Sequence, residues 1–270
     1  NYSISNLIAS SGTLEIDRTN FNIASVAITT NGAANFNVGA ENTLTIKGNI
    51  SGATGKLVKD GVGIIIIDQE NSYGGGTDVI AGTLQIATNN ALGAGTLDLG
   101  KVGFTNAINF ALAEKVVLSN DVNIVAAATI TTKQYAPLTI SGTLGGAGTL
   151  TKMGAGTLTI QNANFTGDIA VAAGSFLVGN KVVITSSDAT VSNGASLINN
   201  GDLRHVVTAG SFSGLGSCNH LTVQQQGAIL PTTTLGEILV KGDYLQQTAS
   251  TYNVQLDGHQ NNKVVINGSA

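Results

Sequence analysis

The chain has 270 residues, with 12 basic against 16 acidic side chains for a formal net charge of −4. Neutralising nucleic-acid phosphates takes clustered Lys and Arg, and no basic stripe exists, so the charge argues against nucleic acid and against attraction to a membrane surface. No apolar run approaches the ~20 residues of a transmembrane helix, whereas 42% hydrophobic residues, mostly Ala, Val, Ile and Leu, exclude a disordered chain.

Short β-branched runs separated by Gly, Asn, Asp and Ser read as strands and turns. In chain order the expected strands are Thr13–Ile16, Val26–Thr29, Asn35–Val38 and Leu44–Ile46, with turns at Asn31-Gly32 and Lys47-Gly48-Asn49. Next come Leu57–Val58, Ile64–Ile67, Val79–Ile80 and Leu84–Ile86. Ile108–Leu112, Val116–Leu118, Val122–Val125 and Thr129–Thr131 keep the rhythm. After a second repeat come Val182–Thr185, Ser196–Ile198, Leu203–Val207, Leu221–Val223, Ala228–Leu230, Glu237–Val240, Tyr244–Gln246, Tyr252–Leu256 and Val264–Ile266. No helical period interrupts them. No Pro-rich linker divides the chain, which predicts one continuous domain over residues 1–270.

One stretch comes back. The pattern G-x-L-x-K-x-G-x-G followed by a β-run occurs at Gly55, Leu57, Lys59, Gly61 and Gly63, then again at Gly148, Leu150, Lys152, Gly154 and Gly156. Asn71 and Tyr73 pair with Asn164 and Phe165, and Gly82-Thr83-Leu84 with Gly174-Ser175-Phe176. The second copy is one residue shorter at a turn. Consecutive short strands without crossovers fit an antiparallel sandwich or barrel, or a parallel β-helix. Recurrence in register favours stacked coils. About 22 residues per coil would give about 12 coils and a rod of roughly 58 Å at ~4.8 Å per strand.

The repeated stretch resembles the passenger-associated transport repeat of bacterial autotransporters (type V secretion), roughly G-x-L-x-K-x-G-x-G-x-L-x-L, then N-x-Y-x-G-x-T-x-V, then G-T-L. The first copy supplies Asn71, Tyr73, Gly75, Thr77, Val79, Gly82, Thr83 and Leu84. The second departs by losing one residue before Phe165 and carrying Asp168-Ile169 where Gly-Thr is usual. The tail Gly236–Gln246, Tyr252–Leu256 and Lys263–Ala270 resembles the region preceding the translocator. The resemblance implies a right-handed parallel β-helix, an all-β single-stranded solenoid, with repeat copies at about 44–99 and 138–179. Coils 213–270 would lead toward a translocator barrel outside this chain. The opening Asn1-Tyr2-Ser3, with neither Met nor signal peptide, predicts an internal piece of something longer.

Gly61-Val62-Gly63, Gly93-Ala94-Gly95 and Gly154-Ala155-Gly156 lack the third glycine of a dinucleotide loop and open no helix, so they read as turns. His205, His220 and His259 lie apart, with no carboxylate at ligand spacing. Cys218, the lone cysteine, excludes an intrachain disulfide; with His220 two residues on, regular alternation would put both on one strand face. Gly210-Ser211-Phe212-Ser213-Gly214 resembles a nucleophile elbow, but its centre is Phe212. Asp60, Asp68, Asp78 and Asp98 read as single turn residues satisfying backbone N–H groups. Two residues of Ile64–Ile67 must face outward, as a partner surface or under a second packing layer. Tyr73 and Phe165 read as stacked in the solenoid.

No catalytic, cofactor or metal residue is expected, and the partner-binding residues stay unassigned. The resemblance implies a passenger exported through the outer membrane of a Gram-negative bacterium, secreted or held at the cell surface. Its expected partner is a host cell-surface protein or receptor, with self-association as a further possibility. This segment would bind no nucleic acid and insert in no membrane. Two alternatives remain open: a β-helix enzyme degrading polysaccharide, which needs clustered acids on one face, and an inert stem for a head domain elsewhere.

Overall fold

Alternating apolar and polar residues make a strand with one face for water and one for a core. In the strand Ala33–Val38 (AANFNV), Ala34, Phe36 and Val38 turn inward and are buried while Ala33, Asn35 and Asn37 turn out. The same two-residue period recurs in Thr43–Ile46, Lys56–Asp60, Gly82–Ile86, Ser175–Val178 and Ser196–Asn199. The computed structural model describes every residue except 1, 10–11, 18–20, 25, 29–31, 102–107, 113, 231–235, 255 and 258–259. Among the described residues every regular element is a strand.

Successive strands alternate between two large sheets, so the chain winds as a parallel β-solenoid. A 15-stranded sheet runs from Tyr2–Ile4 to Lys263–Ile266, and a 14-stranded sheet runs from Thr13–Ile16 to Thr251–Tyr252. Every pairing along both sheets is parallel; the antiparallel pairs are the small ribbon of Leu256–Asp257 with Gln260–Asn261 and an isolated Lys133–Ala136 bridge. A third, three-stranded sheet of Leu7–Ala9, Val26–Ile28 and Ile50–Ser51 closes the first coils. Antiparallel sandwiches and barrels are thereby excluded.

Stacking in register makes ladders of one side-chain position. Inside the first sheet, Leu44, Ile65 and Leu84, and farther along Ile130, Lys152, Val171, Val191, Thr208 and Val223, stand one above the other. Coils are unequal in length: the chain uses 26 residues between Leu84 and Phe110 and 15 between Thr208 and Val223. The difference lies in the corners, because a coil must return to the same ladder whatever its loop length.

The expected strands are present within a residue or two over most of the chain, and Thr13–Ile16, Ile64–Ile67, Ile108–Leu112, Val116–Leu118, Glu237–Val240 and Tyr244–Gln246 match at both ends. Asn31 and Thr29 lie outside the described residues. Tyr2–Ile4, Leu7–Ala9 and Phe21–Ile23 are additional strands, too short and too interrupted by polar residues to stand out in the sequence. Asp78 and Asp98 are corrected: both sit within strands, in register with one another on the outer face, because a solvent-facing strand position accepts any polar side chain. Of the four isoleucines, Ile65 and Ile67 are fully buried, while Ile64 and Ile66 face outward between Thr43 and Thr45 below and Thr83 and Gln85 above.

Adjacent residues of one strand should therefore differ sharply in worth. Phe176→Ala empties a fully buried position and should cost about 3–5 kcal/mol; Leu177→Ala, on the outward side of the same strand, should cost about 0.5 kcal/mol. Urea unfolding of both variants checks the order, and equal losses would contradict the assigned alternation.

Candidate functional site

The residues that define the repeat meet at the corners of the solenoid. Lys59 and Lys152 occupy inward positions at the ends of strands Lys56–Asp60 and Leu150–Met153, and both are fully buried. Lys59 is stacked between Phe36 below and Val79 above, and Lys152 between Ile130 and Val171. The aliphatic stem completes the core ladder while the ammonium reaches sideways into the turn. There Lys59 Nζ donates to the carbonyls of Asp60 (2.8 Å), Gly61 (2.6 Å) and Ala81 (3.0 Å). Lys152 Nζ donates to Met153 (2.8 Å), Gly154 (2.9 Å) and Ala173 (3.0 Å).

The two sets are equivalent atom for atom. Two carbonyls belong to the lysine's own corner and the third to the corner of the coil above, so each ammonium staples two coils. Burial draws each lysine down to about 8, with Asp60 opposing the shift at Lys59. The glycine opposite completes the device. A Cβ on Gly82 would lie 2.4 Å from Gly61 O and 2.8 Å from Lys59 Nζ, and on Gly174 2.2 Å from Gly154 O. Both also hold left-handed conformations, φ +72° and +67°, so glycine is required twice over.

The next part of the repeat differs between the copies in a coordinated way. Tyr73 is fully buried and its hydroxyl meets Thr77 Oγ1 at 2.5 Å. In the second copy Phe165 and Ile169 stand in these places, both buried. Removing both polar partners together leaves no buried group unsatisfied. Asn71 spans three coils: its Oδ1 accepts from Ile50 N–H (2.6 Å) and its Nδ2 donates to Ala91 O (2.6 Å). The expected pairing of Asn71 with Asn164 does not hold. The missing residue moves Asn164 to the exposed place held by Ser72 in the first copy, as their amides show by donating to Leu144 O and Ile50 O respectively.

The outer surface holds the remaining chemistry. Lys56 Nζ pairs with Asp78 Oδ1 at 2.8 Å, and Asn123 Nδ2 donates to Asp98 Oδ1 at 3.0 Å. Farther along, stacking lines up Asp188, His205 and His220 on three successive strands. The imidazoles of His205 and His220 are edge-to-face with centroids 6.0 Å apart. His205 Nδ1 lies 3.9 Å from Asp188 Oδ2, and His220 Nδ1 3.9 Å from Asp243 Oδ2. Histidines and acids that seemed scattered are neighbours because one coil separates them. The signal was available as the offset of 15 between Leu203-Arg204-His205-Val206 and Cys218-Asn219-His220-Leu221. His259 lies outside the described residues.

Cys218 and His220 do not share a face. The strand Ser217–Val223 turns a corner here, with Asn219 and His220 both outward between buried Cys218 and Leu221. Two consecutive outward residues break the alternation, so no Cys–His pair forms. Burial, reinforced by Asp202 and opposed by Lys241, pushes the Cys218 thiol up to about 12. Phe212, the centre of the elbow-like stretch, is fully buried in the core. Among the described residues no three His, Cys, Asp or Glu side chains are gathered to hold a metal ion. Two surface depressions among the described residues are open grooves, one lined by Asn49, Glu70, Ser72, Asn90 and Ser119, another by Val183, Asp202, Leu215 and Glu237.

The two corner lysines mark the two copies of the repeat. The family described as passenger-associated-transport-repeat matches residues 57–86 and 150–178, the two segments that contain the staples. The chain is also similar to the adhesin BmaC autotransporter of Brucella suis biovar 1 (strain 1330), 36% identical over 138 residues. That match covers 50% of this chain and 4% of the Brucella protein, so the chain spans a small fraction of its relative. Both findings support an autotransporter passenger domain. No solved structure matches the chain.

Replacing Lys152 by Met keeps the stem and removes the ammonium, leaving three carbonyls without their donor. The expected loss is about 2–3 kcal/mol, read in urea unfolding together with faster hydrogen exchange at the Ala172 and Ala173 amides. Unchanged exchange there would refute the staple. Cys218 should resist a thiol reagent at pH 8 in the folded chain and react fully in denaturant. Its unfolded thiol ionises first, near 9.0 against about 12 when folded, so stability contributed by the protonated thiol is lost as pH rises through that window.

Proposed function

We propose that this chain is a rod-like segment of a surface-displayed or released passenger of a Gram-negative autotransporter, acting as an adhesin toward a host cell-surface protein or receptor. The observation that carries this reading is the pair of transport repeats built intact into one solenoid. The relative named as an adhesin supports the choice of adhesion over other passenger roles. The geometry is compatible with it: most aliphatic side chains of the described residues pack inside the rod, and the outer faces offer long open grooves with polar lining residues. Binding would be distributed along a face, each coil adding a row of side chains ~4.8 Å from the last.

Two of the acids singled out as candidates for glycan cleavage are engaged by neighbours. Polysaccharide cleavage on a β-helix requires acids free to exchange protons, whereas Asp78 is held by Lys56 and Asp98 by Asn123. We therefore read the chain as non-enzymatic.

The test is direct. Beads coated with the purified chain should adhere saturably to host epithelial cells, and soluble chain should compete. Absence of adhesion by a chain that still shows its cooperative unfolding would overturn the reading, as would release of sugar ends from acidic or neutral glycans.

A further inference from the structure

The column of acids and histidines ends on the last described coils, and its upper member does more than decorate the surface. His220 lies across the corner Lys241-Gly242-Asp243 of the coil above. Its ring is so close that a Cβ on Gly242 would sit 2.9 Å from Cε1 and 3.1 Å from Nδ1. His220 Nδ1 accepts the backbone N–H of Asp243 at 3.2 Å. Around it, Gly242 N–H donates to Asn219 O (2.6 Å) and Leu221 N–H to Asp243 O (3.0 Å). Asp243 Oδ1 in turn accepts Ser269 N–H at 3.2 Å, and Tyr244 N–H donates to Ser269 O at 2.8 Å. One imidazole and one carboxylate thus add side-chain bonds to the backbone bonds that join these three coils.

We propose that His220 is a pH-sensitive latch that holds this corner when neutral and releases it when protonated. The acceptor is a lone pair on Nδ1, so this nitrogen carries no proton in the latched state. Protonation places an N–H where the Asp243 N–H already points, and two donors then face each other. Imidazoles change charge between pH 5 and 8, which sets the range.

The groups around the ring decide the sign. From the coil below, His205 faces it edge-on at 6.0 Å and has Asp188 Oδ2 3.9 Å from its own Nδ1. Asp188 and Arg204 lie beyond His205 and pair with each other at 3.3 Å. From the coil above, Asp243 Oδ2 at 3.9 Å attracts the cation, but that side chain is 68% exposed and screened accordingly. Lys241 is turned away and occupied by Asp202. The lost acceptor outweighs one solvated carboxylate, so acid loosens the corner.

Amide hydrogen exchange on the full chain tests this, with rates at pH 7 and pH 5 corrected for intrinsic chemistry. The Asp243 amide should lose roughly fivefold of its protection at pH 5, matching one hydrogen bond of about 1 kcal/mol, while the Ala172 amide beside Lys152 keeps its own. His220→Asn places Oδ1 where Nδ1 was and cannot ionise, so it should keep the latch at both pH values. His220→Leu should expose the amide at both. Equal wild-type protection at pH 5 and 7, or a pH dependence that survives in His220→Asn, would overturn the proposal. Neither outcome bears on adhesion, so the latch and the proposed function fail separately.

Discussion

A solenoid is held together by a simple demand: every coil must turn corners while the carbonyls left over at each turn find donors. Along the flat faces the parallel ladders satisfy the backbone automatically. At the corners they do not, and an unpaired buried carbonyl costs as much as a lost hydrogen bond. Lys59 and Lys152 answer that demand with the one side chain that is both long enough to finish an apolar ladder and able to donate three times at its tip. The burial that lowers their pKa to about 8 is offset by the carbonyls gathered round each ammonium. The glycines opposite, Gly82 and Gly174, follow from it, because any side chain there would occupy the space of the staple.

The two copies stand on different sheets. Lys59 belongs to the 14-stranded sheet and Lys152 to the 15-stranded one. From Lys59 the ladder climbs through Val79, Leu99 and Ile124 to Gly146, and the chain then crosses over to reach Lys152. The repeat is therefore a corner motif that can be built at either edge of the flattened rod, rather than a property of one face. Each edge gains one clamp, at different heights, and a rod clamped on both edges resists splaying at either.

Inside and outside divide the labour. The interior repeats Leu, Ile, Val and Phe with little variation, and of the polar residues admitted there Asn71 and Lys59 bond the backbone of a neighbouring coil. The exterior is free to vary, since an outward strand position contributes little to packing. That freedom brings Asp78 into diagonal reach of Lys56 on one face and stacks Asp188, His205 and His220 on another. A solenoid benefits from this separation, because its surface can change without disturbing its core.

The amino-acid sequence alone determined the strands, the stacking and the repeat, because a two-residue hydrophobic period and a recurring glycine–lysine pattern are local signals. It also placed Tyr73 and Phe165 correctly in the core, since their positions in the two copies match. Only the tertiary structure decided which distant residues become neighbours. Coil length varies with corner length, so no fixed spacing in the chain says that Asp188 meets His205 or that His220 caps Asp243. Nor could alternation foresee the bend at Asn219 that parts Cys218 from His220, or the one-residue loss that moves Asn164 into the place of Ser72. Register along a strand is written in side chains, whereas register between coils is set by how the backbone turns its corners.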